Sequence, residues 1–345
     1  MKQKKVWPLL LAASLVATVF TGCKKDKPEE EEPTGTVYKG NGTFILCEGG
    51  FNQSNARIDF LNKNTDSLYT DIYQKVNGVP LGDVLQSMIY VNDRAYLVVN
   101  NSSKIEVVDP LDFTHKATIS GFTSPRYACI TGTGKVYVSD LFSNKVSIVN
   151  TTSLAITGNI PLPGWTEEML NDNGKVWITN SSRDYAYIVQ NDVVTDSVNV
   201  GYGSASIRKD NNGSIWILTA GNYPPNAAVS RIVRLNPTTN AVDWTYDLPD
   251  NGASKLRLNG DKSVLYFLYD GKVYRKNTGD NATPAEFISL TGKSFYGINV
   301  DPANGNIWLG DAGAFTSGGT VYVFNSAGTQ IKSFMTGIAP TDFVF

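Results

Sequence analysis

The sequence predicts an all-β fold, a seven-bladed β-propeller closed by its C-terminal strand pairing into blade one, on three observations. An aromatic-led strand recurs seven times, a second alternating strand follows each copy, and the last residues supply a strand that the first repeat lacks. The recurring strands carry Phe44 in TFILCE, Tyr96 in AYLVVN, Tyr137 in VYVSD, Trp177 in VWITN, Trp216 in IWILTA, Tyr266 in LYFLYD and Trp308 in IWLGD. Their aromatic anchors lie 52, 41, 40, 39, 50 and 42 residues apart. A repeat of that length holds one four-stranded blade.

In chain order, Lys2, Lys4 and Lys5 precede an apolar run from Val6 to Phe20, and the small residues Thr21 and Gly22 lead to Cys23. The run falls short of the roughly 20 residues that span a bilayer, so it reads as an export signal. The order resembles the bacterial lipoprotein signal. That resemblance implies a signal peptide over 1–22, cleavage before Cys23 and lipid attachment there. The tether over 23–36 contains Glu29 to Glu32 and is too charged to pack. An acidic stretch behind a lipidated cysteine also resembles the surface-export signal of Bacteroidetes lipoproteins. It implies a lipid-anchored protein of the outer membrane, facing the exterior.

The propeller is expected over 37–345. Strands after the anchors read ARIDFLN at 56–62, KIEVVDP at 104–110, KVSIVN at 145–150, YAYIVQ at 185–190, RIVRLNP at 231–237, KVYRKN at 272–277 and TVYVFN at 320–325. Each alternates with the period of two of a half-buried strand. Inner strands start near Gln86, Arg126, Glu167, Ser204, Ser254 and Phe295, joined to the anchors by Gly-, Asn- and Asp-rich turns such as Asn171-Asp172-Asn173-Gly174. Blade one has no such strand before Phe44, and residues 339–345 supply it, which leaves no long sheet edge unpaired. A helical period is hard to find after residue 40.

Losing the three leader lysines takes the formal charge from −2 to −5, with no basic stripe for a phosphate backbone, so nucleic acid is not an expected partner. Cys47 and Cys129 fall in non-adjacent blades and read as buried small hydrophobes, neither a disulfide nor a metal site. His115, the one histidine, is placed in the Asp109–Lys116 turn as a solvated residue on the rim away from the long loops. That position argues against a Ser-His-Asp triad, a Cys-His pair or a histidine metal cluster. Glu48, Asp140, Glu167, Glu168 and Asp311 remain as carboxylates, with turn capping or ligand contact preferred over catalysis. No catalytic residue, metal or cofactor is expected.

Antiparallel blades send the loop before the first strand and the loop between the second and third to the same rim. The insertions gather there, and binding groups are commonly carried on loops held by a rigid scaffold. The candidate ligand-binding residues are Phe51, Asn52, Asn101, Arg126, Tyr127, Phe142, Trp165, Arg183, Tyr185, Tyr202, Asn222, Tyr223, Tyr296 and Phe315. Aromatic faces beside amides suit a broad, partly apolar ligand edged with hydrogen-bonding groups. The repeated anchors themselves are expected to be scaffold.

The segment KVYVSDLFSNKVSIVNTTSLAITGNIPLPG, residues 135–164, resembles the YVTN-type repeat of bacterial surface-layer and lactonase-like propellers. The opening FILCEGGFNQSNARIDFLNKNTDSL, residues 44–68, resembles the first repeat of Bacteroidetes surface lipoprotein propellers, with Cys47 where an Asn is usual before Glu48-Gly49. That family includes the cobalamin-capturing lipoproteins of the BtuG type. The resemblance implies a non-enzymatic receptor that takes a corrinoid, or a comparably large small molecule, on its loop-rich rim and passes it to a TonB-dependent outer-membrane transporter. The other readings are a protein-interaction or surface-layer scaffold and a propeller hydrolase or lactonase.

Overall fold

A computed structural model describes residues 37–345; the expected leader, Cys23 and the tether lie outside the described residues. Seven four-stranded antiparallel sheets follow one another around a ring, each running inner, second, third and outer strand in chain order except the first. In blade one the inner strand is Pro340–Val344, which pairs with Gly42–Cys47 through Phe44↔Val344 and Ile45↔Phe343. Backbone bonds from Glu48 to Ala339 (3.0 Å) and from Gly49 to Ile338 (3.1 Å) extend the clasp, as the sequence predicts.

Burial follows position in the blade. The second strands are enclosed by neighbouring blades on both faces, so Ile215–Thr219 and Ile307–Asp311 are buried at every residue. Outer strands such as Val242–Asp247 and Gln330–Met335 are exposed on alternate residues, because one face and one edge meet water. All seven anchor aromatics are buried, from Phe44, Trp177 and Trp216 at 0% to Trp308 at 7% exposure. They are packing residues: Trp216 also donates from Nε1 to Asp210 (2.8 Å), and Lys175 lies 5.1 Å from the centre of the Trp177 ring.

Two details depart from the sequence reading. A six-residue helix, Ile72–Asn77, follows a two-residue outer strand in blade one and buries Ile72 and Tyr73 in the cluster around Phe113. At six residues it makes fewer than two turns, too short to show a helical period. His115 is the first residue of the outer strand His115–Ser120, with Nε2 3.0 Å from Glu106 and 3.1 Å from Thr118. It is on the short-turn rim as expected, but bonded to its own sheet rather than free in a turn.

Candidate functional site

Every inner strand carries an extra residue relative to its partner at the same level near the long-loop rim, and the blade-three strand slips a second time between Ile130 and Gly132. The register slips between Leu85 and Ser87, Pro125 and Ala128, Thr166 and Met169, Ser204 and Ser206, Ser254 and Arg257, and Phe295 and Gly297. In the clasp, Thr341 is the extra residue. A bulge re-aims side chains that a regular strand would send into the inter-blade packing. Seven bulges at one level therefore line the axis with polar groups.

The result is a funnel of about 570 Å³ to which all seven blades contribute. Glu48, Gly49 and Phe51 come from blade one, Gln86 and Asn100 from blade two, Arg126 and Tyr127 from blade three, and Glu167 from blade four. Ala205 and Ser206, then Ser254 and Lys255, then Tyr296 and Phe315 complete the circle. A groove of about 590 Å³ lies elsewhere, between blades one and seven beside Trp308 and Phe345. It draws on two blades only and lacks the aromatic border described below.

The funnel wall and floor are held by charge pairs. Arg126 donates from Nε to Glu167 (2.9 Å) and from Nη1 to Gln86, whose amide donates to the Tyr127 hydroxyl (3.1 Å). Below, Glu168 receives Arg208 (2.5 Å), Arg257 (3.1 Å) and the Ile207 N–H (3.1 Å), and Arg257 also reaches Asp342 (3.0 Å). The neighbours Glu167 and Glu168, both within the bulge between Thr166 and Met169, serve opposite sides, blade three and blades five and six. Burial pushes the Glu168 carboxyl up, but Arg208 and Arg257 bring it below the usual glutamate value. The Tyr296 phenol is pushed well above its ordinary range by burial and by Glu48, to which it donates (2.7 Å). Lys255 donates to Thr341 (2.9 Å).

Of the candidate residues, Phe51, Arg126, Tyr127, Tyr296 and Phe315 meet at the funnel. Phe315 packs edge-on to Tyr296 at 4.9 Å between ring centres. The others stand on the surrounding rim, on loops, in the short 3-10 turn Asn100–Ser102 (Asn101) or at the start of the strand Tyr185–Gln190 (Tyr185). Asn101 donates to Asn52 (2.9 Å) and Asp83 (2.7 Å), and Phe142 and Trp165 form an edge-on pair at 5.7 Å. Arg183 and Tyr185 are exposed, Tyr202 and Asn222 half-buried, and Tyr223 stands out 70% exposed. Gln86, Ser206 and Lys255 were not among the candidates. Their shared signal is the second or third place of the inner strand in each repeat.

The strongly exposed aromatics of the described residues are Phe51, Phe142, Trp165, Tyr185, Tyr223 and Phe315. All six lie on the long-loop rim. The expected carboxylates are otherwise engaged: Asp140 caps the backbone N–H groups of Thr123 and Ser124, and Asp311 takes the Gly313 N–H and Lys293. Cys47 and Cys129 are buried free thiols, pushed up by burial to about 12 and about 11. Among the described residues no group of three or more His, Cys, Asp or Glu side chains is placed to hold a metal ion.

Residues 41–339 match the family described as "Domain of unknown function (DUF5074)". No curated protein matches the sequence. Among solved structures, the chain is similar to a quinonprotein alcohol dehydrogenase-like protein of Bacteroides thetaiotaomicron, at 14% identity and TM-score 0.67 over 88% of this chain and 78% of that one. It is also similar to a "putative 6-phosphogluconolactonase" of Bacteroides fragilis, at 13% identity and TM-score 0.66 over 89% and 98%. The likeness extends to hydrazine synthase of Kuenenia stuttgartiensis, at 12% identity and TM-score 0.62 over 72% of this chain and 85% of that one. At these identities the likeness is one of fold.

Proposed function

This chain belongs to the DUF5074 family, and we propose that it is a capture protein for a large, partly apolar small molecule fringed with hydrogen-bonding groups, a corrinoid such as cobalamin foremost. The observation that carries the reading is the gathering of all six strongly exposed aromatics on the rim around the seven-blade funnel. Aromatic side chains bury large area at low rotamer cost, and exposed together they mark a binding surface. A corrin would lie across the mouth on the loops, with its side-chain amides reaching the polar wall. In the same proposal the protein is lipid-anchored through Cys23 in the outer membrane, faces the exterior, and hands its cargo to a TonB-dependent transporter.

Calorimetric titration with cyanocobalamin tests the reading. Saturable binding at micromolar concentration is expected; no heat and no retained pigment would remove the corrinoid. The lactonase-named neighbour makes a sugar lactone the second ligand to assay. Turnover of 6-phosphogluconolactone above the uncatalysed rate would replace capture with hydrolysis.

A further inference from the structure

The funnel and its floor hold four cations, Arg126, Arg208, Lys255 and Arg257, against four carboxylates, Glu48, Glu167, Glu168 and Asp342. Each of the three arginines has a carboxylate partner within 3.1 Å. Lys255 and Glu48 are the members that form no ion pair among the described residues; each keeps one neutral partner, Thr341 for the ammonium and Tyr296 for the carboxylate. Both line the same cavity and share Tyr296 as a neighbour: its ring centre lies 5.9 Å from the Lys255 ammonium and its hydroxyl donates to Glu48 (2.7 Å). An ammonium has three N–H donors and a carboxylate about four acceptor sites, so each has capacity left.

We propose that Lys255 and Glu48 together hold an uncharged primary carboxamide of the ligand, its oxygen accepting from Lys255 Nζ and its NH2 donating to the Glu48 carboxylate. The assignment rests on the funnel being the ligand site proposed above. A carboxylate would satisfy Lys255 but bring a fifth negative charge beside Glu48; an ammonium would do the reverse. A carboxamide offers an acceptor and a donor on one planar group and leaves the charges of the funnel balanced. Lys255 is placed for this by its bulge, where its backbone has φ +58°, a left-handed conformation uncommon for a residue with a side chain. Burial draws the lysine down from its ordinary range, and the nearby Glu48 and Asp342 carboxylates act in the opposite direction.

The test uses nicotinamide and nicotinate, which share a ring and differ in the amide and carboxylate, in saturation-transfer NMR on the intact protein. Wild type is expected to prefer nicotinamide by about 10-fold or more, the worth of a charge-assisted hydrogen bond. Glu48→Gln, which removes one negative charge, should move the preference toward nicotinate, and Lys255→Met should bind neither. Absence of nicotinamide binding, preference for nicotinate in wild type, or an unchanged preference in Glu48→Gln overturns the assignment. Should Lys255→Met not fold, Glu48→Gln decides alone. A parallel cyanocobalamin titration separates the two proposals. No cobalamin binding beside the expected nicotinamide pattern sinks the corrinoid and leaves the carboxamide site. Equal cobalamin affinity in wild type and both variants sinks the carboxamide site and leaves the corrinoid.

Discussion

Glu168 has both carboxylate oxygens engaged, by Arg208 and Arg257 and by the Ile207 N–H, in a side chain only 7% exposed. Removing one member of such a buried network leaves the others uncompensated, which is costlier than the pair's own net worth. Glu168→Gln is expected to lower unfolding free energy at neutral pH by about 3 kcal/mol, read by urea denaturation. The pH dependence has a definite sign. The folded carboxyl lies below its usual value of 4.5, so its contribution is present above that value and lost as pH falls through the depressed folded one. The gap between wild type and Glu168→Gln should therefore close toward acid pH. A gap that stays constant into strong acid would refute the charge assignment.

The clasp strand Pro340–Val344 packs on glycines of blade seven, and there the absence of a side chain is a steric requirement. A Cβ on Gly310 would stand 2.1 Å from the Pro340 carbonyl oxygen, and one on Gly297 2.4 Å from it. Gly310→Ala should destabilise the protein by about 1–3 kcal/mol, the usual cost of overpacking, and speed hydrogen exchange in the clasp. Gly132→Ala, where a Cβ would meet nothing within 4 Å, is the control and should leave both unchanged. The strands were legible in sequence because enclosure by two blades gives each anchor strand an aromatic-led apolar centre and exposure makes its neighbours alternate. The bulges were not. One extra residue at each, such as Gln86 or Ala205, changes neither composition nor length enough to be noticed. The five candidates that do reach the funnel, Phe51, Arg126, Tyr127, Tyr296 and Phe315, were found because their blades brought loops or strand starts to the same rim. Lys255 and Gln86 looked like ordinary strand polar residues, and only the ring brings them to one level.

At the scale of the molecule, the two rims can be tested against each other. Trp165→Ala, at an exposed ring paired with Phe142, should weaken cyanocobalamin binding about 10-fold or more while leaving the melting temperature in place. His115→Ala, on the short-turn rim, should leave binding unchanged. The reverse pattern, seen by calorimetry, would put the site on the wrong rim. Closure of the ring carries a further consequence. The pairing of Phe44 with Val344 joins segments 300 residues apart, and the funnel takes wall residues from every blade. Contacts so distant in sequence form late, because their loop-closure entropy must be met before they stabilise anything. A chain with six blades folded and the clasp undocked thus has a mouth with a missing side. Ligand affinity then serves as a clock for the final event of folding, and a ligand that binds only the closed ring holds it shut by mass action.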